Sequence, residues 1–273
     1  MNRSFGVILL HIALVLGAII TLIPLAWMVS ASFMPTGEAS MYPPRLLPSA
    51  ATLMHYRDLF TRMNMGRSFL NSTIIALAVT AASLLLNSMA GYAFAKLRFR
   101  GRDRLFGFLL AALVIPTQIG MLPLFLMLKS AGLVNTYWGA ILPGTASIFG
   151  IFLMRQFMTS IPDDLLDAAR IDGASEWAIY WSMVLPLARP ILVTLALFTF
   201  MASWNDFMWP LIVLTDEQKY VLPVAIASLV GEHAQDIELM MASSVLTVIP
   251  VLVLFICLQR YYIAGLMMGS VKG

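Results

Sequence analysis

The segment 160–190 concentrates acidic side chains that could together bind a divalent metal. Its acids are Asp163, Asp164, Asp167, Asp172 and Glu176. Asp163 and Asp167 are four residues apart and would share one face of a helix. Asp172 lies about 140° around such a helix from Asp167, and Gly173 separates Glu176 from the others. This spacing disfavours a shared metal site. A metal-dependent transferase of the membrane that uses the acids of 163–176 is therefore kept as the less favoured of two functions, and the favoured one follows from the motifs described below.

Other residue types that support catalysis are scattered along the chain. His11, His55 and His233 follow neither an H-E-x-x-H pattern nor the usual spacing of zinc ligands. The sequence has no G-x-S-x-G nucleophile motif and no G-x-x-x-x-G-K-[ST] loop that would bind the phosphates of ATP. We therefore expect the chain not to be an enzyme and to bind no metal or cofactor of its own.

Polar residues are sparse in this chain of 273 residues, which is 60% hydrophobic and 11% charged. A soluble domain contains about 25% charged residues. The composition excludes a soluble globular enzyme, a disordered chain and a nucleic-acid binder, and it indicates a protein that crosses a membrane several times. Cys257 is the single cysteine, so an intramolecular disulfide is also excluded.

Six apolar runs are long enough to cross a membrane, since a helix needs about 20 apolar residues to span about 30 Å of hydrocarbon. They are 5–29, 69–95, 105–128, 137–157, 190–214 and 239–263. The first run exceeds the apolar region of a cleavable signal peptide, which is about 7–15 residues, so we expect it to be retained. The sequence predicts an all-α, polytopic membrane protein with six transmembrane helices in a single membrane domain, 1–273.

The basic residues favour an orientation with both termini in the cytoplasm. In that orientation eleven Lys and Arg residues lie inside and six lie outside. Five of the eleven fall in the short segment KLRFRGRDR at 96–104, and short loops are where the positive-inside bias acts. We interpret this segment as a topological anchor.

The inside segment 158–189 is predicted to form two short helices joined by a glycine. Ser160 and Asp163 resemble a capping box that would start the first helix. Gly173 is a natural helix stop, because it adopts a positive φ without a Cβ clash. A second helix would follow and end before Pro186. Such a pair suits insertion into a groove of a partner or, alternatively, a position flat on the membrane surface.

The same segment resembles the EAA loop of permease subunits of bacterial ABC importers. That motif reads Glu-Ala-Ala, three residues, Gly, nine residues, Ile, one residue, Leu-Pro. The positions that fill it here are Asp167, Ala168, Ala169, Gly173, Met183, Leu185 and Pro186. Asp replaces Glu and Met replaces Ile, and the shorter Asp reaches less far toward a partner.

Further stretches resemble the carbohydrate-importer branch, specifically the subunit similar to the second maltose permease. They are FLNSTIIAL at 69–77, the basic loop that ends GYAFAKLRFRGR, SWNDFMWPLIVL at 203–214, and QRYYIAGLMMGSVKG at the C-terminus. Together with the EAA-like segment, the resemblance covers nearly all of the chain.

The resemblance implies a multi-pass permease subunit of an ATP-driven, binding-protein-dependent importer for a sugar or sugar-like solute in the bacterial inner membrane. ATP would be bound by two copies of a separate cytoplasmic ATPase subunit, and a second homologous permease would complete the pathway. An extracytoplasmic solute-binding protein would deliver the solute, and we expect it to meet the outer segments 30–68 and 215–238. The loop residues implied to couple to the ATPase are Asp167, Ala168, Ala169, Asp172, Gly173, Leu185 and Pro186.

Polar residues inside the predicted spans are candidates for the translocation pathway. Trp204, Asn205 and Asp206 supply an aromatic face and hydrogen-bond partners, which a pyranose needs. Asp206 would lie about 24 Å along a core of about 30 Å, so an interfacial or helix-bonded acid is its alternative role. Asn71 and Asn87 are further candidates, with hydrogen bonding between helices as the alternative. A stand-alone secondary carrier would need inverted repeats or broken helices at the midplane, and neither is clear in the sequence.

Overall fold

The computed structural model describes residues 2–232 and 236–268, and every regular element within these ranges is a helix. His233 and the last five residues of the C-terminal stretch 259–273 lie outside the described residues. The all-α prediction is confirmed for the described part of the chain.

Three helices are long and apolar enough to cross a membrane without a break. They are α1 (Asn2–Ala31), α3 (Met65–Lys96) and α14 (Ile237–Met268), and the shorter α2 (Met54–Thr61) precedes α3. In α1 all residues from 6 to 26 are exposed, so no other part of the described chain covers them. A helix that is apolar on every side needs an apolar environment such as lipid or another subunit.

The apolar run 105–128 forms two helices that are bent by 96°, α4 (Arg102–Ala112) and α5 (Met121–Ser130), with a 3₁₀ turn at Thr117–Gly120 between them. Pro116 accounts for the break, because proline has no N–H to donate and disfavours helical geometry at the residue before it.

The next run has a milder bend of 41° between residues 137–144 and 148–159. It consists of α6 (Tyr137–Ile141), a 3₁₀ turn at Leu142–Gly144, and α7 (Ile148–Thr159). The N-terminus of α7 is capped by Ser147, whose Oγ accepts a hydrogen bond from the N–H of Gly150 at 3.0 Å.

The remaining helices are short except one. They are α8 (Asp163–Ile171), α9 (Glu176–Ile179), α10 (Leu185–Leu187), α11 (Arg189–Trp204), α12 (Met208–Val213) and α13 (Leu222–Glu232). The helical segments 176–187 and 189–204 are bent by 79° relative to each other. If each of the three bent pairs is counted as one span, the described residues contain up to six candidate spans. The predicted run 190–214 is interrupted after Trp204, because α11 ends there and α12 begins only at Met208.

The chain divides into two compact units, residues 1–66 with 225–250, and residues 67–224 with 251–273. In the first unit Ala31, Met34 and Ala39 form a small apolar core. The N–H of Ala39 donates to Oε1 of the buried Glu238 at 2.7 Å.

In the second unit a continuous apolar cluster joins the C-terminal half of α3 to α7, α8 and the residues that follow. Its fully buried members include Met154, Met158, Leu166 and Ile179. Gly91 allows α3 and α7 to approach closely, because a Cβ at this position would lie 2.5 Å from Cβ of Met154. The cluster fixes the segment 158–189 against α3.

Candidate functional site

The first helix of the EAA-like segment, α8, begins at Asp163 and places Asp163 and Asp164 in its first turn, where carboxylates interact favourably with the helix dipole. The predicted capping box is wrong. Pro162 occupies the N-cap position without a side-chain bond, and the Ser160 hydroxyl donates instead to the carbonyl of Phe157 at 2.7 Å.

The C-terminus of α8 is closed by a Schellman motif at the predicted glycine. Gly173 has φ +83°, and its N–H donates to the carbonyl of Arg170 at 3.1 Å. The N–H of Ala174 donates to the carbonyl of Ala169 at 2.9 Å. These two bonds satisfy carbonyl groups that the end of the helix would otherwise leave without partners.

The second helix starts at Ser175, whose Oγ accepts a hydrogen bond from the N–H of Ala178 at 3.2 Å. α9 leads through a π-helical turn at Tyr180–Val184 into α10. Pro186 lies inside α10, and it cannot donate to the carbonyl four residues earlier, which accounts for the wider turn before it. The second helix therefore extends past the predicted stop, to Leu187.

Three polar side chains on α3, spaced four residues apart, hold this segment. Ser88 Oγ and the Tyr180 hydroxyl share a hydrogen bond of 2.7 Å. The Tyr92 hydroxyl donates to Oε2 of Glu176 at 2.5 Å. Because residues at i, i+4 and i+8 lie on one face of a helix, a single face of α3 makes these contacts and those of Lys96.

Lys96, the last residue of α3, is bonded twice to the start of α8. Its side chain is only 4% exposed, and its Nζ donates to the carbonyl of Ile161 at 2.6 Å and to Oδ1 of Asp163 at 2.5 Å. The hydrogen bond from Lys96 holds the pKa of Asp163 below its ordinary value. Lys96 therefore has a structural role in addition to the topological one that the sequence suggests.

Arg170 links the two helices of the segment. Its Nη1 donates to Oδ1 of Asp167 at 2.6 Å, and its Nε donates to Oε1 of Glu176 at 2.7 Å. The hydrogen bonds to Glu176 and Asp167 raise the pKa of Arg170 above its ordinary value. Asp167 at the EAA-like position thus contributes to a side-chain network that continues through Glu176 to Tyr92 on α3.

The acids of 163–176 do not assemble into a metal site in the described residues. No three His, Cys, Asp or Glu side chains there are close enough to hold a metal ion. Asp163 is bonded to Lys96, and Asp167 and Glu176 are bonded to Arg170. Each of these three carboxylates therefore has a basic partner within the chain, and Asp167 and Glu176 share one, Arg170.

The predicted coupling residues divide between an outer and an inner surface of the segment. Ala168, Asp172 and Gly173 are exposed, as are Asp167 and Pro186. Ala169 and Leu185 are partly buried and pack against the apolar cluster of the second unit. One residue advances a helix by about 100°, which is why neighbouring alanines face different ways.

The sequence indicates an apolar side of the first helix that includes Leu165 and Ile171, but sequence reasoning missed Trp177 and Trp181 and the exposure of all four side chains. Ile171 is 86% exposed and Trp177 is 60% exposed. Leu165 and Trp181 are exposed as well. Large apolar residues in a segment of otherwise polar composition were the available signal for a surface that another protein or the membrane covers.

The pathway candidates at 204–206 lie at the break between α11 and α12. Trp204 is 1% exposed, and its ring packs edge-on against Phe69 at a centroid distance of 5.5 Å. Asn205 is exposed and donates from Nδ2 to the carbonyl of Met201 at 2.9 Å. The N–H of Trp209 donates to Oδ1 of Asp206 at 3.3 Å, so Asp206 bonds to the start of α12.

Asn71 and Asn87 are buried, and both ends of each amide are bonded within the second unit. Asn71 donates to the carbonyl groups of Gln218 and Tyr220, each at 3.0 Å, and accepts from the Tyr137 hydroxyl at 2.8 Å. Asn87 donates to Ser83 at 2.6 Å and accepts from the N–H of Ser147 at 3.0 Å. These contacts favour the role in hydrogen bonding between helices over contact with a solute.

The sequence matches a known family over most of this architecture. The family model described as "Binding-protein-dependent transport system inner membrane component" matches residues 83–266, which include all of α8, Gly173 and α9 to α13. The chain belongs to this family. The permease is a multi-pass inner-membrane component of a transport system and not an enzyme, so the alternative of a metal-dependent transferase is discarded.

Individual relatives agree with the family. The permease is 40% identical to the arabinooligosaccharides transport system permease protein AraQ of Halalkalibacterium halodurans, over 97% of this chain and 96% of the relative. It is 34% identical to the diacetylchitobiose uptake system permease protein NgcG of Streptomyces coelicolor, over 99% of this chain and 90% of the relative.

A solved structure has the same fold. It belongs to a bacterial ABC transporter involved in the import of the acidic polysaccharide alginate, and the matched chain superposes with a TM-score of 0.82 at 27% identity, covering 96% of the permease and 99% of that chain. The prediction of a permease subunit of a carbohydrate-type, binding-protein-dependent ABC importer is confirmed, and the secondary carrier is discarded with it.

Proposed function

We propose that the permease forms one half of the pathway of an ATP-driven importer and that the segment 158–189 couples this pathway to a separate ATPase. The whole chain, 1–273, acts as one transmembrane domain with both termini in the cytoplasm of a bacterium. A second homologous permease completes the pathway, and two copies of a cytoplasmic ATP-binding subunit drive it.

The observation that carries this proposal is the surface of the segment between α8 and α9. Ala168, Asp172 and Gly173 are exposed, and their small or short side chains let another protein approach the backbone closely. Ile171 and Trp177 add exposed apolar area on the same segment. An exposed helix pair of this kind suits a groove in a partner protein.

The attachment of the segment to α3 supports a coupling role. A docking element can transmit a displacement only if it is joined to the transmembrane part by contacts that persist during the movement. The bonds from Tyr92 to Glu176 and from Lys96 to Asp163 join the two helices of the segment to the last two turns of α3. Movement of α8 and α9 by the ATPase would therefore move the cytoplasmic end of α3.

We propose an oligosaccharide as the solute, because the relatives AraQ and NgcG are named for arabinooligosaccharides and diacetylchitobiose. Asn205 and Asp206 are the pathway residues that keep accessible polar groups in this chain. The Asp206 carboxylate accepts backbone hydrogen bonds from Trp209 and Met208, and its remaining lone pairs can accept a sugar hydroxyl. A periplasmic binding protein would deliver the solute to the outer segments 30–68 and 215–238.

The experiment that tests this function is purification of the tagged permease in a mild detergent, followed by mass spectrometry of the proteins that accompany it. We expect an ATPase subunit and a second permease in stable amounts. If a solute-binding protein accompanies the complex, a thermal-shift screen of that protein with oligosaccharides identifies the solute. A permease that purifies alone and stable contradicts the coupling role of 158–189.

A further inference from the structure

We propose that the arginine turn, residues 97–104 at the junction of α3 and the first turn of α4, binds the phosphate headgroup of an anionic membrane lipid. Four arginines line one open cavity of about 740 Å³ together with Phe99 and Asp103. They are Arg98, Arg100, Arg102 and Arg104. This surface lies outside the segment 158–189 to which the proposed function assigns ATPase coupling.

The backbone of the arginine turn is held in a defined shape. Gly101 adopts φ +83°, which lets the chain reverse direction before α4, and the N–H of Leu105 donates to its carbonyl at 2.8 Å. The side chain of Arg102 stabilises the turn by two hydrogen bonds within it. Its Nη1 donates to the carbonyl of Leu97 at 3.2 Å, and its Nε donates to Oδ1 of Asp103 at 3.1 Å.

The other three arginines of the turn are available to a ligand. Arg98, Arg100 and Arg104 are exposed, and none forms an ion pair with an acid of the described residues. Asp103, the acid of the turn, is already bonded to Arg102 and lies 3.8 Å from Nη2 of Arg155. Arg98 also interacts electrostatically with Asp163, but the hydrogen-bonded partner of that carboxylate is Lys96.

Guanidinium groups recognise a phosphate through paired N–H donors, so three arginines without ion pairs around one cavity suit a phosphodiester. The position of the turn selects a lipid over a soluble phosphate. It directly joins the end of α3 to the start of α4, and both helices belong to candidate membrane spans. A headgroup of a bilayer lipid therefore lies at the same level as the cavity.

Apolar side chains beside the arginines extend the site toward the acyl region. Phe99 lies between two of the arginines and is exposed, and Leu105 and Phe108 on the first turns of α4 are exposed as well. A ligand with a phosphate and an attached hydrocarbon chain matches this combination, whereas an acidic protein surface would leave the apolar residues uncovered.

The test uses the intact detergent-purified complex and a mixture of equal amounts of phosphatidylglycerol and phosphatidylcholine, with retained lipids counted by native mass spectrometry. The variant is R98Q/R100Q/R104Q. The control of equal charge is R57Q/R62Q/R67Q, which removes three exposed arginines from α2, from the residue after it and from the first turn of α3; of these, Arg62 is paired with Asp58. Since each arginine near a bilayer raises affinity for an anionic surface by roughly fivefold, we expect a loss of about fivefold per arginine in the variant and none in the control.

A second measurement on the wild type does not depend on how the variants fold. A photoactivatable phosphatidylglycerol should crosslink to the peptide that contains residues 97–108, and an excess of unlabelled phosphatidylglycerol should prevent this while inorganic phosphate should not. Unchanged lipid retention in R98Q/R100Q/R104Q, equal loss in both variants, or crosslinking elsewhere would overturn the proposal. Competition by inorganic phosphate would also overturn it in favour of a soluble anion, and loss of the ATPase with unchanged lipid would indicate an acidic protein partner.

Discussion

The hydroxyl of Tyr92 donates a 2.5 Å hydrogen bond to Oε2 of Glu176 and so connects α3 to the first residue of α9. Glu176 accepts a second bond from Arg170 in α8, and Arg170 also holds Asp167. One carboxylate therefore joins α3 to both helices of the segment 158–189. This relationship gives a short surface segment a polar attachment to a transmembrane helix, in addition to its apolar packing.

Tyr92→Phe removes this bond and keeps the ring, which packs against Tyr180 at a centroid distance of 5.5 Å. We expect a loss of about 1 kcal/mol in the free energy of unfolding and a smaller amount of solute imported per ATP hydrolysed. Uptake and ATPase rates of the reconstituted complex measure that ratio. The control is Tyr137→Phe, which removes a 2.8 Å bond to Asn71 away from the segment. Equal transport per ATP in both variants would show that the Tyr92 bond only adds stability.

The contact between Lys96 and Asp163 predicts a pH dependence of stability. The bond from Lys96 lowers the pKa of Asp163 in the folded chain. The contact therefore contributes fully above the ordinary aspartate pKa of about 3.9 and is lost as the pH falls through the lower folded value. Asp163→Asn should lower the unfolding temperature at about pH 7, and the difference from the wild type should vanish in strong acid.

Asp164→Asn is the control for this pH dependence. Asp164 occupies the same first turn of α8, is also exposed, and has no ion pair within the described residues. Thermal unfolding of both variants at neutral and acid pH checks the expectation. A difference between Asp163→Asn and the wild type that stays constant across the pH range would mean that the charge of Asp163 does not contribute.

The left-handed glycine at the end of α8 offers a well-controlled substitution. Gly173→Ala places a Cβ in open space, with no atom within 4 Å, so its cost is the left-handed backbone alone, about 1–2 kcal/mol. Gly37 has φ +88°, and a Cβ there would also have no atom within 4 Å, but this glycine lies in the first unit. The two alanine variants should lose similar stability.

Only Gly173→Ala should also weaken retention of the ATPase during purification, because its methyl group enters the exposed surface between α8 and α9. Quantitative mass spectrometry of the purified complexes compares the two variants. If Gly37→Ala loses the ATPase to the same extent, the effect is general destabilisation rather than a blocked docking surface.

Ala168 and Ala169 give a paired test of which face of α8 meets the partner. Ala168 is exposed, so Ala168→Trp should leave the unfolding temperature nearly unchanged and reduce ATPase retention. Ala169 packs against the apolar cluster, so Ala169→Trp should overpack it and cost about 1–3 kcal/mol. A stable Ala169→Trp variant that loses the ATPase would reverse the assignment of the two faces.

The local features of this segment were predictable and its attachments were not. The stop at Gly173 follows from a short-range requirement for positive φ, and the small residues at 167–169 are visible in the sequence. Which alanine faces outward depends on the rotation of α8 against the apolar cluster, which no residue of α8 determines alone.

The polar face of α3 left a signal that sequence reasoning did not use. Ser88, Tyr92 and Lys96 recur every four residues in the C-terminal part of α3. Their partners are 65 to 92 residues away along the chain. The spacing could have indicated a buried polar face, but only the packed structure identifies the segment that covers it. The break at Pro116, in contrast, follows from proline geometry and was overlooked because apolar length alone defined the run.

Two substitutions at Asp206 distinguish a structural role of this residue from a role in solute passage. Asp206→Asn removes the negative charge but keeps an oxygen that accepts from the N–H of Trp209, so the junction of α11 and α12 and the assembled complex should persist. Asp206→Ala removes both, and it should also cost about 1 kcal/mol because the start of α12 loses a bonded acceptor. If Asp206 contacts the solute, uptake should fall in both variants while only Asp206→Ala lowers the unfolding temperature. Uptake of labelled oligosaccharide into vesicles, with assembly checked in parallel, measures this; wild-type uptake by Asp206→Asn would limit Asp206 to bonding the helix.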